Sequence, residues 1–531
     1  MYCHINAGGL RGLESYAALV EVDVSRGLPC FEMVGLLAGE VKEARERIRV
    51  ALKNAGADVP AGKITVNISP AGIHKGGTAY DLPVAVGILT ALGRIPQERL
   101  EGVWIAGELG LNAKVKPVRG ALPMVMAAEA AGMRECILPF ANLEEGLWAG
   151  RIPVMGVETL SEALSYLELD EAGRQRQRRR AKEALQAAGK EAAESGEEPD
   201  FGMVQGMREA KYAAAAAAAG FHNLLFTGPP GAGKTMLARC IPSILPPLTK
   251  EEQREVSAIY SVAGMLEQGR LMTKRPFVSP HHTATPHALA GSGSVPRPGM
   301  VTLAHRGVLF LDEMAEFKRS ALDILRQPME EGRIFLAKSA GTFLYPASFL
   351  LVAATNPCPC GYYPDRNRCR CTVREVHRYL SRISGPLLDR IDLSGFVSPA
   401  GFSSLMEGRD GRGDGWDSAF LRDMVQEARQ RQSFRYAGTD IGQNGRLGPG
   451  ETLRYCRLGM KEQEFLERLL RLQGCSARAC HRILRVARTL ADLEGKEEIG
   501  CGHLSQAFCY RPKQGILDFD AGGTDEGRRT D

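Results

Sequence analysis

Residues 228–235 read GPPGAGKT, set between a short apolar run, NLLFT at 223–227, and the helix-forming MLARCI at 236–241. A strand that turns through a glycine-rich loop straight into a helix constrains the fold more than any other stretch. The helix must pack back on its own strand, and the strands that follow must join the same sheet in parallel. Apolar runs at 307–312 (GVLFLD) and 349–354 (FLLVAA), with helical segments between, supply those strands. The expected architecture is a layered α/β domain. The loop also has a chemistry: Gly228, Pro229, Pro230, Gly231, Ala232 and Gly233 form the turn that takes the phosphates, its glycines letting backbone N–H groups wrap them, Lys234 reaches the outer phosphates, and the Thr235 hydroxyl ligates Mg²⁺.

The ends of the later strands carry what such a site needs next. Asp312 and Glu313 close the second run, where one carboxylate can hold Mg²⁺ and the other can orient an attacking water. Asn356 closes the third, where an amide can hold that water or the γ-phosphate. In SGPLLDRIDL, residues 384–393, Arg390 can be offered to a neighbouring subunit's phosphate or pair with Asp389 or Asp392. In SARACHRILRVAR, residues 476–488, Arg478, Arg482, Arg485 and Arg488 recur at helical spacing opposite Ile483, Val486 and Leu490. Arg478 would face nucleotide if this helix closes as a lid, and the other three are expected to be solvated or to face DNA.

The chain has 531 residues, enough for two or three domains. Residues 1–168 read as a compact α/β unit. Residues 169–200 carry a basic block and then an acidic one with almost no large apolar side chains, which predicts a solvated linker, helical in part. Residues 201–403 hold the phosphate loop, MEGRDGRGDG at 406–415 sits in a boundary loop (404–416), and 417–513 is predominantly helical. The tail, 514–531, is expected to be disordered. A net charge of +5, from 67 basic and 62 acidic residues, does not mark a nucleic-acid binder, so such binding must be local. The opening MYCHINAGGL has no basic start followed by an apolar run, and no apolar stretch is long enough to span a membrane. The expectation is a cytoplasmic protein with no membrane partner.

Thirteen cysteines, unevenly spread, do not make a disulfide framework. Four of them, Cys358, Cys360, Cys369 and Cys371, fall inside NPCPCGYYPDRNRCRC at 356–371. The stretch reads either as four thiolates around a structural Zn²⁺ or as unpaired thiols beside Arg366, Arg368 and Arg370.

The stations GPPGAGKT, GVLFLDE, ATNPCPCG, SGPLLDRIDL and SARACHRILRVAR, in that order, resemble the YifB/ComM family of magnesium-chelatase-like AAA+ ATPases, with support from residues 279–307 and 503–511. The resemblance implies an ATP- and Mg²⁺-dependent homo-oligomer, a hexameric ring, in which Lys234, Thr235, Asp312, Glu313 and Asn356 act in one subunit, Arg390 from the next, and Arg478 as a lid sensor. ComM proteins are implicated in DNA branch migration, which implies single-stranded or branched DNA as partner. A likeness to MCM helicases implies a pore-lining hairpin at 330–346 with Lys338 on phosphate. Residues 68–89 and 106–139 resemble the Lon protease domain, a ribosomal S5 domain 2-like α+β fold. Ala79 and Leu122, however, stand where Lon has its serine and lysine, so serine–lysine chemistry is unavailable. Two other functions remain in view: a chelatase-type remodeller of a protein partner, and an ATP-dependent protease.

Overall fold

The computed structural model describes residues 1–57, 59–189, 199–266, 269–293, 296–338, 341–398, 415–472 and 476–512. The first unit is built on a seven-stranded mixed sheet. Its strands are β1 (Tyr2–Arg11), β2 (Glu14–Ser25), β3 (Cys30–Val34), β4 (Lys63–Ser69), β5 (Val103–Ile105), β8 (Glu135–Pro139) and β9 (Val154–Val157), in the order β3-β4-β2-β1-β5-β8-β9. A two-stranded ribbon, β6 (Glu108–Leu109) with β7 (Val115–Lys116), lies beside it. Strict alternation of buried and part-exposed residues along β2 and β4 identifies one covered face. The helix Asp81–Ala91, buried at every position, lies against that face.

The second sheet has five parallel strands: β10 (Leu224–Thr227), β11 (Phe277–Val278), β12 (Val308–Leu311), β15 (Leu350–Thr355) and β16 (Leu393–Phe396), ordered β11-β12-β15-β10-β16. β10 therefore lies inside the sheet, between β15 and β16, and both faces of the sheet are covered. Leu224, Phe226, Phe310 and Val352 pack with the helices Arg208–Gly220 and Lys234–Ile244, while Leu225, Leu309, Leu311 and Leu351 pack with Leu322, Tyr379 and Leu387. Strands that read as unbroken apolar runs are what two covered faces require. β13 (Arg333–Lys338) and β14 (Gly341–Pro346) form a separate antiparallel hairpin.

The structure changes several sequence-based expectations. The charged segment is helical over Glu171–Gly189, and its first turns are packed rather than solvated. Arg174 is buried and pairs with Glu135, and Arg178 donates to the same carboxylate at 2.7 Å. A buried acid on β8 demands a countercharge, and removing one partner of such a pair costs about 3–5 kcal/mol. The helix Arg208–Gly220 ends at Gly220, and Phe221 takes the left-handed cap at φ 57°. A Cβ at Gly220 would lie 2.2 Å from His222, so glycine is needed there for close approach rather than for chain reversal. Most of the boundary loop expected at 404–416 (404–414) and the tail expected at 514–531 lie outside the described residues.

The first unit docks on the second through the helix Lys250–Ala263. Ser261 donates to the buried carboxylate of Glu145, its carbonyl accepts from Gly120 N–H at 3.1 Å, and Ala258 packs against the apolar cluster around Leu122.

Candidate nucleotide site

The phosphate loop leaves β10 at Thr227, and Gly231 and Gly233 adopt φ of 74° and 87°, which only glycine takes without strain. Lys234 opens the helix Lys234–Ile244 and is 8 % exposed. Its ammonium donates to the carbonyls of Gly228 (2.6 Å) and Pro229 (2.9 Å) and to Asn356 Oδ1 (3.0 Å). Burial pulls its pKa below the ordinary lysine value, opposed by the nearby charges of Asp312 and Glu313. The ammonium thus rests on neutral acceptors, and an anion in the loop would supply the countercharge they lack.

Thr235 Oγ1 donates to Asp312 Oδ2 at 2.8 Å, joining the loop to the end of β12, and the Glu313 amide donates to Asp312 Oδ1 at 3.0 Å. A hydroxyl and a carboxylate oxygen at that separation are an oxygen donor pair suited to Mg²⁺. Glu313 sits at φ 49°, an uncommon conformation for a side chain of its size, and its half-exposed carboxylate stands 3.7 Å from His282 Nδ1. Lys234, Thr235, Asp312, Glu313 and Asn356 are therefore brought together by direct contacts at the ends of three parallel strands.

The remaining candidates lie elsewhere. Arg390 is paired with neither Asp389 nor Asp392. Its guanidinium reaches Glu330 Oε1 at 2.5 Å and the Pro386 carbonyl at 2.5 Å, and its side chain is 19 % exposed. Arg478 is exposed in the first turn of the helix Ala477–Leu493. The expectation for the other three arginines of that helix is wrong. Arg482 bonds Asp389 and the Ile391 carbonyl, Arg485 the Gly445 carbonyl, and Arg488 the carbonyls of Lys496 and Glu497. They clamp the helical region to the sheet and to itself, because this helix is covered on nearly all sides. Lys338 is half-buried at the end of β13, away from the loop.

The four sulfur atoms of Cys358, Cys360, Cys369 and Cys371 lie within 4.8 Å of one another, all unbridged. Ala79 and Leu122 share one apolar cluster. Sequence reasoning missed His282 and Glu330. The only signal for the first was its place in SPHHTATPHALAG at 279–291, and for the second the acidic pair before the hairpin.

Models of three parts of one protein match the chain in order: "Subunit ChlI of Mg-chelatase" over residues 20–142, "Magnesium chelatase, subunit ChlI" over 200–404, and "Magnesium chelatase, subunit ChlI C-terminal" over 415–511. Competence protein ComM of Haemophilus influenzae is 39% identical over 506 residues, 95% of this chain and 96% of its own. YifB of Escherichia coli is 39% identical over 508 residues, again 95% and 96% of the two chains. The chain belongs to the YifB/ComM family of magnesium-chelatase-like proteins. The family supports an ATPase, which agrees with the loop geometry. Residues of the first unit also resemble Lon protease 2 of Bacillus subtilis, 30% identical over 127 residues, 24% of this chain and 22% of that protein. Among the described residues no helix is long and apolar enough to cross a membrane.

Proposed function

We propose that this YifB/ComM protein is a cytoplasmic ATP-hydrolysing motor that works as a ring, a hexamer, on single-stranded or branched DNA. The observation that carries the ATPase part is the contact set Lys234–Asn356 and Thr235–Asp312–Glu313 at the ends of β10, β12 and β15. In this reading residues 228–235 bind the phosphates, and Lys234 exchanges its carbonyl partners for phosphate oxygens. Thr235 and Asp312 hold a magnesium ion, which would neutralise charge on the phosphates when bound. Glu313 orients the water, and Asn356 holds it or the γ-phosphate. Arg390 serves the neighbouring subunit's site after leaving Glu330, and Arg478 senses nucleotide from the lid. The four cysteines hold a structural Zn²⁺.

The DNA part has two supports: the name of the competence protein that is 39% identical over 95% of this chain, and the hairpin β13–β14 with Lys338 near its tip. The test is the ATPase rate against single-stranded, duplex, forked and four-way DNA at stated salt. Forked or four-way DNA should raise it. No stimulation by any DNA, with stimulation by a chelatase-type protein partner, would transfer the motor to the remodelling of proteins. A protease is disfavoured by Ala79 and Leu122, which offer neither nucleophile nor base.

A further inference from the structure

The four-cysteine knuckle touches the phosphate loop. Gly361, at φ 87°, packs its α-carbon on Pro230, the third residue of GPPGAGKT, so closely that an added Cβ would stand 2.4 Å from Pro230 Cδ and 2.7 Å from Cγ. The same residue's N–H lies 3.2 Å from the Cys358 sulfur, and the Tyr363 N–H lies 3.4 Å from it. One residue therefore bridges a sulfur of the cluster and the wall of the nucleotide site. A second tie lies two residues before Cys358, where Asn356 accepts from Lys234.

In the knuckle, residues 357–372 contain no strand or helix; short turns such as Cys369 N–H to the Asp365 carbonyl (2.7 Å) shape them, and their buried residues, Cys358, Tyr363 and Cys369, pack with Val376. Arg366 and Arg368 lie over the rings of Tyr363 and Tyr362, at 5.0 and 4.0 Å, on its outer side. Its centre is sulfur. Separations of 3.3 Å (Cys358–Cys360), 3.5 Å (Cys360–Cys369) and 3.7 Å (Cys358–Cys369) approach the edge of about 3.8 Å expected of a tetrahedron with metal–sulfur bonds of about 2.3 Å. After Cys371, Thr372 forms a capping box with Glu375 at the start of the helix Val373–Leu380, so the cluster also fixes where that helix begins.

We propose that the knuckle is a zinc-organised brace for the phosphate loop, in which Gly361 is the positioning residue and Pro230 the point of contact. This rests on the zinc and ATPase readings given above. Four thiolates fill the tetrahedron and leave no place for water or substrate, so the metal acts on nucleotide only through geometry. When the sulfur centre is lost, Gly361 no longer backs Pro230, the loop spends less time in its binding shape, and apparent affinity falls by the fraction lost. A loop that is competent about a tenth of the time binds about tenfold more weakly.

The full chain should be purified as wild type, Cys369→Ser and Gly361→Ala, with zinc measured per chain by elemental analysis and affinity measured with a fluorescent ATP analogue. Wild type should carry one zinc ion per chain. Cys369→Ser should lose it and bind the analogue on the order of tenfold more weakly. Gly361→Ala should keep the zinc and still weaken binding, raising KM for ATP more than it lowers kcat, because a methyl on a backbone at φ 87° is strained and must displace Pro230, while all four thiolates remain. Unchanged affinity in Gly361→Ala, with zinc retained, overturns the brace even if Cys369→Ser fails to fold. Wild type without zinc overturns it from the other side. Metal content and nucleotide binding of the wild type report separately on the zinc and ATPase readings, so failure of either is distinct from failure of the coupling.

Discussion

If Arg390 serves the neighbouring site, Arg390→Ala and Glu313→Gln are inactive for reasons that lie on opposite sides of one interface. Within its own chain the guanidinium is held by Glu330 at 2.5 Å, with the arginine side chain 19 % and the glutamate 55 % exposed. A charge-assisted hydrogen bond contributes about 1.5–3 kcal/mol when shielded, but solvent around the exposed glutamate lowers this to about 1 kcal/mol. An arginine acting on a phosphoryl transfer accelerates it by about 10³–10⁵, or about 4–7 kcal/mol of barrier. Leaving Glu330 is thus the smaller term, and assembly can move the side chain across. Each variant alone should lose at least about a thousandfold in phosphate release at saturating ATP. Mixed in equal amounts before assembly, about one interface in four joins a subunit with intact Glu313 to a neighbour with intact Arg390, whatever the ring size. Turnover should therefore recover to about a quarter of wild type if the sites act independently. Should Arg390 act in its own chain, every subunit with intact Glu313 lacks it, and mixing restores nothing at any ratio. That outcome refutes the assignment.

Lys234→Ala should abolish binding of a fluorescent ATP analogue, since no other cation contacts the loop carbonyls of Gly228 and Pro229 among the described residues. Glu313→Gln should bind ATP normally and hold it unhydrolysed in single-turnover assays; normal turnover would refute the water-orienting role. Lys338→Ala should leave DNA-free ATPase unchanged and lower the slope of log affinity for DNA against log salt by about 1, and an unchanged slope removes Lys338 from the DNA contact. Burial holds the Glu145 carboxyl above the ordinary glutamate range, against the hydrogen bonds it accepts from Ser261, Leu122 N–H and Asn142. A carboxyl raised by folding contributes stability that is complete below its unfolded pKa and is lost as pH rises through its folded one. Glu145→Gln, neutral throughout, should flatten the fall in melting temperature on that rise, and a parallel fall in both proteins would exclude Glu145 as its source.

What could be read from the sequence was local. The run 223–227 becomes β10 (Leu224–Thr227), 307–312 contains β12 (Val308–Leu311), and 349–354 overlaps β15 (Leu350–Thr355), because each is an apolar run closed by a turn or a polar residue. Adjacency of Lys234, Thr235, Asp312, Glu313 and Asn356 follows from strand order, since parallel strands deliver their last residues to one edge. What could not be read was whatever depended on a distant partner. Arg174 looked solvated because Glu135, 39 residues earlier, was invisible as its countercharge. Arg482 and Arg485 looked free for DNA because Asp389 and the Gly445 carbonyl lie far away in sequence. Periodicity shows which residues share a helical face, but a helix covered all round has no face to spare.

The same dependence on distant partners bears on the first unit. Leu122, which the Lon resemblance sets against that protease's lysine, donates its amide at 2.8 Å to Glu145, and that carboxylate is also the acceptor for Ser261 of the second unit. Ala79 and Leu122 sit in the apolar cluster against which Ala258 and Leu271 of that unit pack. Serine and lysine at these two positions would be polar groups placed in or beside a dry junction, each costing about 1–3 kcal/mol unless paired. At the other end of the unit, Gly12 in the β1–β2 turn approaches Phe343 of the hairpin, where an added Cβ would stand 3.3 Å from the ring. Contacts on the helix Lys250–Ala263 and on β14 thus join the first unit to the second.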